Sequence, residues 1–103
     1  MIGRRNIEKA LLAKLAELPV RHALEIRTYK RNRSVLFVRL DIGQFRVVQN
    51  GFSQRDWVVG QGELKKTIRR LLAEEFPRSN KIRLYPLGEF DPDVDIQKHL
   101  KII

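Results

Sequence analysis

Lys65, Lys66, Arg69 and Arg70 place four cations within one short stretch of the chain, Gly60–Phe76. The chemistry open to such a cluster is anion binding, because ammonium and guanidinium groups donate several charge-assisted hydrogen bonds to phosphate oxygens. Their spacing gives them a common face. Leu64, Ile68, Leu71, Leu72 and Phe76 recur at helical intervals and predict an amphipathic helix opened by the turn Gly60-Gln61-Gly62. The cations fall opposite that apolar stripe, in the first half of the helix, and Glu74 and Glu75 come near its end. This charge order opposes the helix macrodipole, which favours acids early and bases late. Free backbone N–H groups, the dipole and four cations at one pole form a site for phosphate, so nucleic-acid binding is expected. The bland alternative is a merely solvated helix face.

The composition points the same way. A net charge of +9 and a pI near 10.5 suit a polyanionic partner. The excess lies in the body of the chain, whereas residues 88–103 hold more acids than bases. Arg4 and Arg5 at the start, and Arg31 and Arg33 in an early turn, are expected to extend the basic cluster. Cysteine is absent, which removes disulfides and thiolate zinc sites and suits a cytoplasmic protein. No run of about 18 apolar residues predicts a membrane span. The basic N-terminus is followed by Glu8, Lys9, Lys14 and Glu17, which a signal peptide would not carry.

These side chains need a scaffold, and 103 residues suffice for one domain with a modest core. Asn6 is the expected cap of a first helix, whose face is Ile7, Leu11, Leu15 and Leu18 and whose end is Pro19. Alternation predicts strands at Ala23–Lys30, Val35–Asp41 and Gln44–Gln49, a short fourth at Asp56–Val59, and a trailing strand at Lys81–Leu87. Pro86 favours an edge position. The expected fold is α+β: a two-layer sandwich of an antiparallel three- or four-stranded meander with two helices on one face. A C-terminal strand and a short tail helix complete it. Residues 1–87 form the domain. Residues 88–103 form a tail, with Asp91-Pro92 as cap and first turn and Ile96, Leu100 and Ile103 as one stripe. The other sheet face is expected to be partly open and to present Arg27, Tyr29, Phe37, Arg39 and Arg46, a set suited to stacking bases and holding phosphates of single strands.

The α-β-β-β-α order resembles the double-stranded RNA-binding domain. That family opens its second helix with a G-x-G-x-S-K-K-x-A-K pattern. Gly60, Gly62, Lys65 and Lys66 match it, Arg69 stands at the third base, and Leu64 and Ile68 replace the serine and alanine. The resemblance implies that the lysine cluster grips phosphates across a major groove, and it favours RNA over DNA. The first hairpin turn lacks the Gly-Pro-x-His-type loop of that family. The same helix, Gly62–Leu72, is similar to the last helix of HicA/YcfA-type toxins, small mRNA-cleaving proteins of related fold. Their histidine has no counterpart in Thr28–Leu40, so the resemblance implies the fold without the activity.

No catalytic constellation accompanies these features. His22 and His99 have no serine or cysteine at a recognisable spacing. Asp91, Asp93 and Asp95 begin like a calcium loop, but Ile96 stands where glycine is required and no closing glutamate follows. Gly60-x-Gly62 lacks the third glycine of a dinucleotide site. Neither cofactor, metal nor enzymatic activity is expected. Two readings follow: a nucleic-acid-binding module, RNA favoured, or a protein-interaction domain in which the sheet face or the C-terminal stripe holds a partner or a second copy, an open strand face or edge suiting homodimerisation.

Overall fold

A computed structural model describes residues 2–28, 33–51, 54–75, 81–91 and 93–96. The elements run β1 (Ile2–Gly3), α1 (Arg4–Glu17), β2 (His22–Thr28), β3 (Ser34–Asp41), β4 (Gln44–Asn50), β5 (Gln54–Gly60), α2 (Leu64–Glu75) and β6 (Lys81–Glu89), with a 3-10 turn at Gln61–Glu63 before α2. The strands form one antiparallel sheet in the order β1-β6-β2-β3-β4-β5. This is the α+β arrangement expected: a meander of four strands, β2 to β5, with the trailing strand β6 laid beside β2. Asn6 is not the cap of α1, since the helix already begins at Arg4.

Both helices cover the same face. Ile7, Leu11 and Leu15 of α1 and Leu64, Ile68, Leu71 and Leu72 of α2 pack on Leu24, Ile26, Val35, Phe37, Phe45, Val47, Val59 and Ile82 of the sheet. Each large apolar side chain so buried contributes about 1.5–3 kcal/mol relative to an exposed one. No helix among the described residues is long and apolar enough to cross a membrane.

The second sheet face is not left bare. Ala23, Leu36, Val38 and Val48 carry a smaller apolar cluster there, capped by Phe90 and Ile96 from the segment after β6. Two local features bring that segment over. The register between β2 and β6 slips at Ala23/Leu24, and Gly88 adopts φ 72, a left-handed conformation that glycine takes without strain. The Phe90 N–H then bonds the Arg21 carbonyl at 2.7 Å. Asp91 caps the turn as expected, its Oδ1 accepting from the Asp93 N–H at 2.9 Å. Asp95 Oδ2 accepts in return from the Asp91 N–H at 2.8 Å. Leu100 and Ile103 lie outside the described residues. Pro86 pairs with Leu24 on one side, while β1 reaches only Lys81 and Ile82 on the other, so the proline occupies a stretch of open edge.

Candidate nucleic-acid interface

Gly60, extended at φ −77 and ψ 158, leads β5 into the 3-10 turn with no side-chain cap. The Gln61 N–H bonds the Gly43 carbonyl at 2.9 Å, which fixes this turn against the β3–β4 hairpin. The helix that follows has no acidic residue in its first turn and no basic residue in its last. Burial of Leu64, Thr67, Ile68, Leu71 and Leu72 sets its rotation, and Lys65, Lys66, Arg69 and Arg70 are all exposed. At about 100° per residue these four span an arc of roughly 140°. They form one cationic face.

The four differ in how firmly they are held. Arg69 Nε donates to Glu8 Oε1 of α1 at 2.7 Å. Arg70 stands 3.9 Å from Glu74, one turn along, at the outer limit of an ion pair. Its guanidinium also lies over the Trp57 ring, 5.8 Å from the centroid. Lys65 and Lys66 make no ion pair among the described residues.

Of the other predicted basic residues, Arg33 does not join this face. Arg33 precedes β3 at the end of the sheet where Ser34 pairs with Asn50, whereas α2 starts at the opposite end, beyond the Gln44–Gly60 pair. A helix of 12 residues separates the two ends by about 18 Å. The backbone of Arg4 and Arg5 opens α1 beside the β1–β6 pairing, again at the Arg33 end; their side chains lie outside the described ones. Arg31 and Tyr29 also lie outside the described residues.

The expected sheet-face set requires correction. Phe37 and Arg39 point toward the helices, not away from them. Phe37 is fully buried in the core beneath α1 and α2. Arg39 is 8% exposed. Its two terminal nitrogens donate to the carbonyls of Leu15 at 3.0 Å and Ile42 at 2.9 Å, and its guanidinium lies 4.7 Å from the centre of the Phe45 ring. It joins the end of α1 to the β3–β4 turn. The physical reason is that every side chain from Ser34 to Arg39 is buried, so β3 offers no alternation from which its inner face can be told.

Arg27 and Arg46 do lie on the face away from the helices, but both are engaged. Arg27 pairs with the buried Glu25 and stacks 4.8 Å from the Tyr85 ring centre. Arg46 makes a two-point pair with Asp56 across β4 and β5, at 2.9 and 2.7 Å. That bond to Arg46 holds the Asp56 carboxyl below its ordinary value and, reciprocally, raises Arg46.

Two residues not anticipated as part of a site border the cationic face. Trp57 is half-buried on β5, the outermost strand beneath α2, and Arg55 is exposed on the same side of that strand. Helix and strand run antiparallel: Arg70 lies over Trp57, and Glu74 accepts from Gln49 Nε2 at 3.3 Å beside the Gln49–Arg55 pair. The seam therefore reads Lys66, then Arg70 with Trp57, then Arg55 with Glu74. The signal available in the sequence was the single tryptophan, in an expected strand and two residues from Arg55.

No family model, curated protein or solved structure matches the chain. Among the described residues there is no cluster of histidine, aspartate and glutamate able to hold a metal ion.

Proposed function

We propose that this chain is a small basic nucleic-acid-binding protein, RNA favoured over DNA, that grips phosphates with Lys65, Lys66, Arg69 and Arg70. The observation that carries the reading is the pair Lys65 and Lys66. Both are exposed, without ion-paired carboxylates among the described residues, on the first turn of a helix whose N-terminal end is the positive pole of its dipole, although Glu63 precedes it in the 3-10 turn. Each cation at that pole opposes the dipole by about 0.3–1 kcal/mol, and a bound polyanion reverses the sign. The resemblance to the double-stranded RNA-binding domain supports RNA as the target, and no catalytic role accompanies the site.

The second reading, homodimerisation without nucleic acid, draws on β5, an edge strand with Val58 half exposed at 51%. Charge opposes it. Antiparallel pairing of two copies along β5 brings the Lys66 and Arg70 side of each α2 toward the other, because Arg70 already lies over that strand.

A salt titration with RNA separates the two. The first reading expects a steep dependence whose slope falls by about one unit for each phosphate contact removed. Lys65→Glu with Lys66→Glu should abolish measurable binding at moderate salt. Unchanged affinity in that variant, or a dimer that binds nothing at low salt, defeats the proposal.

A further inference from the structure

Resting on that phosphate-gripping reading, we infer that the seam between α2 and β5 takes an unpaired nucleotide strand, with a base stacked on Trp57 and phosphates held by Lys66, Arg70 and Arg55. Four observations carry this. Trp57 is the chain's one tryptophan and stands half-buried at the edge of the sheet, its body packed on the core. It is therefore a rigid platform with part of its surface still available, the condition under which bases stack on aromatics with little regard to sequence.

Arg70 above it is loosely held. Its distance of 5.8 Å to the ring centre exceeds the 4.7 and 4.8 Å of the Arg39–Phe45 and Arg27–Tyr85 contacts. Its pair with Glu74 is long at 3.9 Å and half exposed. Arg70 is thus free to lift onto a phosphate and leave the ring to a base, or to close over the base from the other side.

The cations along the seam have a spacing a strand can follow. Lys66 and Arg70 are one turn apart, about 6 Å along α2, and Arg55 lies two residues from Trp57 on the same side of β5. Glu74 closes the far end and repels a phosphate there. The remaining aromatic side chains with described surroundings are otherwise committed: Phe37 and Phe45 are in the core, Phe90 covers the opposite face, and Tyr85 lies under Arg27. Among the described residues, Trp57 is the only aromatic that borders the cationic face.

The single tryptophan makes the test direct. The full chain is titrated with a 12-nucleotide oligouridylate, a 12-base-pair RNA duplex, and linear polyphosphate of similar charge, following both affinity and Trp57 emission. The oligouridylate should quench the emission and bind at least about tenfold tighter than polyphosphate, which should leave the emission nearly unchanged. Trp57→Ala should remove that advantage while retaining the polyphosphate affinity, with an unchanged circular-dichroism spectrum and cooperative melting reporting that the variant is folded; Trp57→Phe should restore part of it. Oligouridylate binding with unaltered emission, or a Trp57→Ala variant with the single-strand advantage intact, overturns the stacking site but leaves the phosphate reading standing. Failure of all three polyanions to bind at low salt removes both.

Discussion

Arg69 of α2 and Glu8 of α1 join the two helices on the very surface that carries the cations, Nε to Oε1 at 2.7 Å. The pair is exposed, with 62% of the arginine side chain and 30% of the glutamate side chain accessible, so its worth to folding is small, about 0–1 kcal/mol. Its larger effect is electrostatic. It places a carboxylate beside one of four groups that would otherwise face a polyanion together.

Glu8→Gln is therefore expected to leave thermal stability within about 1 kcal/mol of the parent and to strengthen RNA binding, with a steeper salt slope as Arg69 becomes available. Parallel melting curves and salt titrations check it. Weaker binding in this variant would mean that Glu8 positions Arg69 for the ligand instead of competing for it.

Arg39→Met should behave in the opposite way. The substitution leaves the carbonyls of Leu15 and Ile42 without their donors and removes the contact with Phe45. A buried polar group that loses its partner costs about 1–3 kcal/mol, so a loss of about 2–4 kcal/mol is expected in chemical denaturation. The RNA salt slope, measured where the variant is still folded, should not change, because Arg39 faces the helices. A lowered slope with full stability would return Arg39 to the binding surface.

Those two arginines mark how far the residues alone could be read. The stripe on α2 was legible because helical spacing separates Leu64, Ile68, Leu71 and Leu72 from Lys65, Lys66, Arg69 and Arg70 without ambiguity. The β4 assignment was legible too, with buried Phe45 and Val47 alternating with the half-buried Arg46. Strand β3 was not, because Val35 and Phe37 meet the helices while Leu36 and Val38 meet Phe90 and Ile96. A strand covered on both faces loses its period-two signal. Nor could spacing reveal that α2 returns antiparallel over β5 and sets Arg70 above Trp57. That proximity comes from packing, and so does the separation of Arg33 from Lys65. The strand Ile2–Gly3 is too short to show any period.

The Arg46–Asp56 pair gives stability a pH dependence of defined sign. The folded carboxyl titrates below its ordinary value of 3.8. Its contribution is thus complete above about pH 5 and is lost as the pH falls through the lower, folded value. With Asp56 side chain 43% exposed, solvent screening limits that contribution to about 0.5–1 kcal/mol. Asp56→Asn should flatten the corresponding part of the acid limb of a stability profile and leave the region from pH 5 to 8 parallel to the parent, about 0.5–1 kcal/mol lower. Proton uptake by Asp56 followed by NMR against pH checks the direction. A midpoint above 3.8 would mean that the pair with Arg46 does not persist in solution.

The described residues after β6, as far as Ile96, pack onto the folded unit, and Phe90 is where this can be measured. Its side chain is 7% exposed, packed with Leu36, Val38, Val48 and Ile96, and its N–H is bonded to Arg21. Arg21 in turn donates its N–H to the Arg39 carbonyl at 2.7 Å, so the segment is tied through one turn to the middle of the sheet. Phe90→Ala is expected to cost about 3 kcal/mol, the scale of a buried aromatic removed from a packed cluster. It should expose apolar sheet surface that binds a hydrophobic dye. RNA affinity at low temperature should hold, because the cationic face of α2 lies across the sheet from Phe90. A loss below about 1 kcal/mol, with no added dye binding, would show that the cover over Leu36 and Val38 is dispensable and that the domain ends with β6.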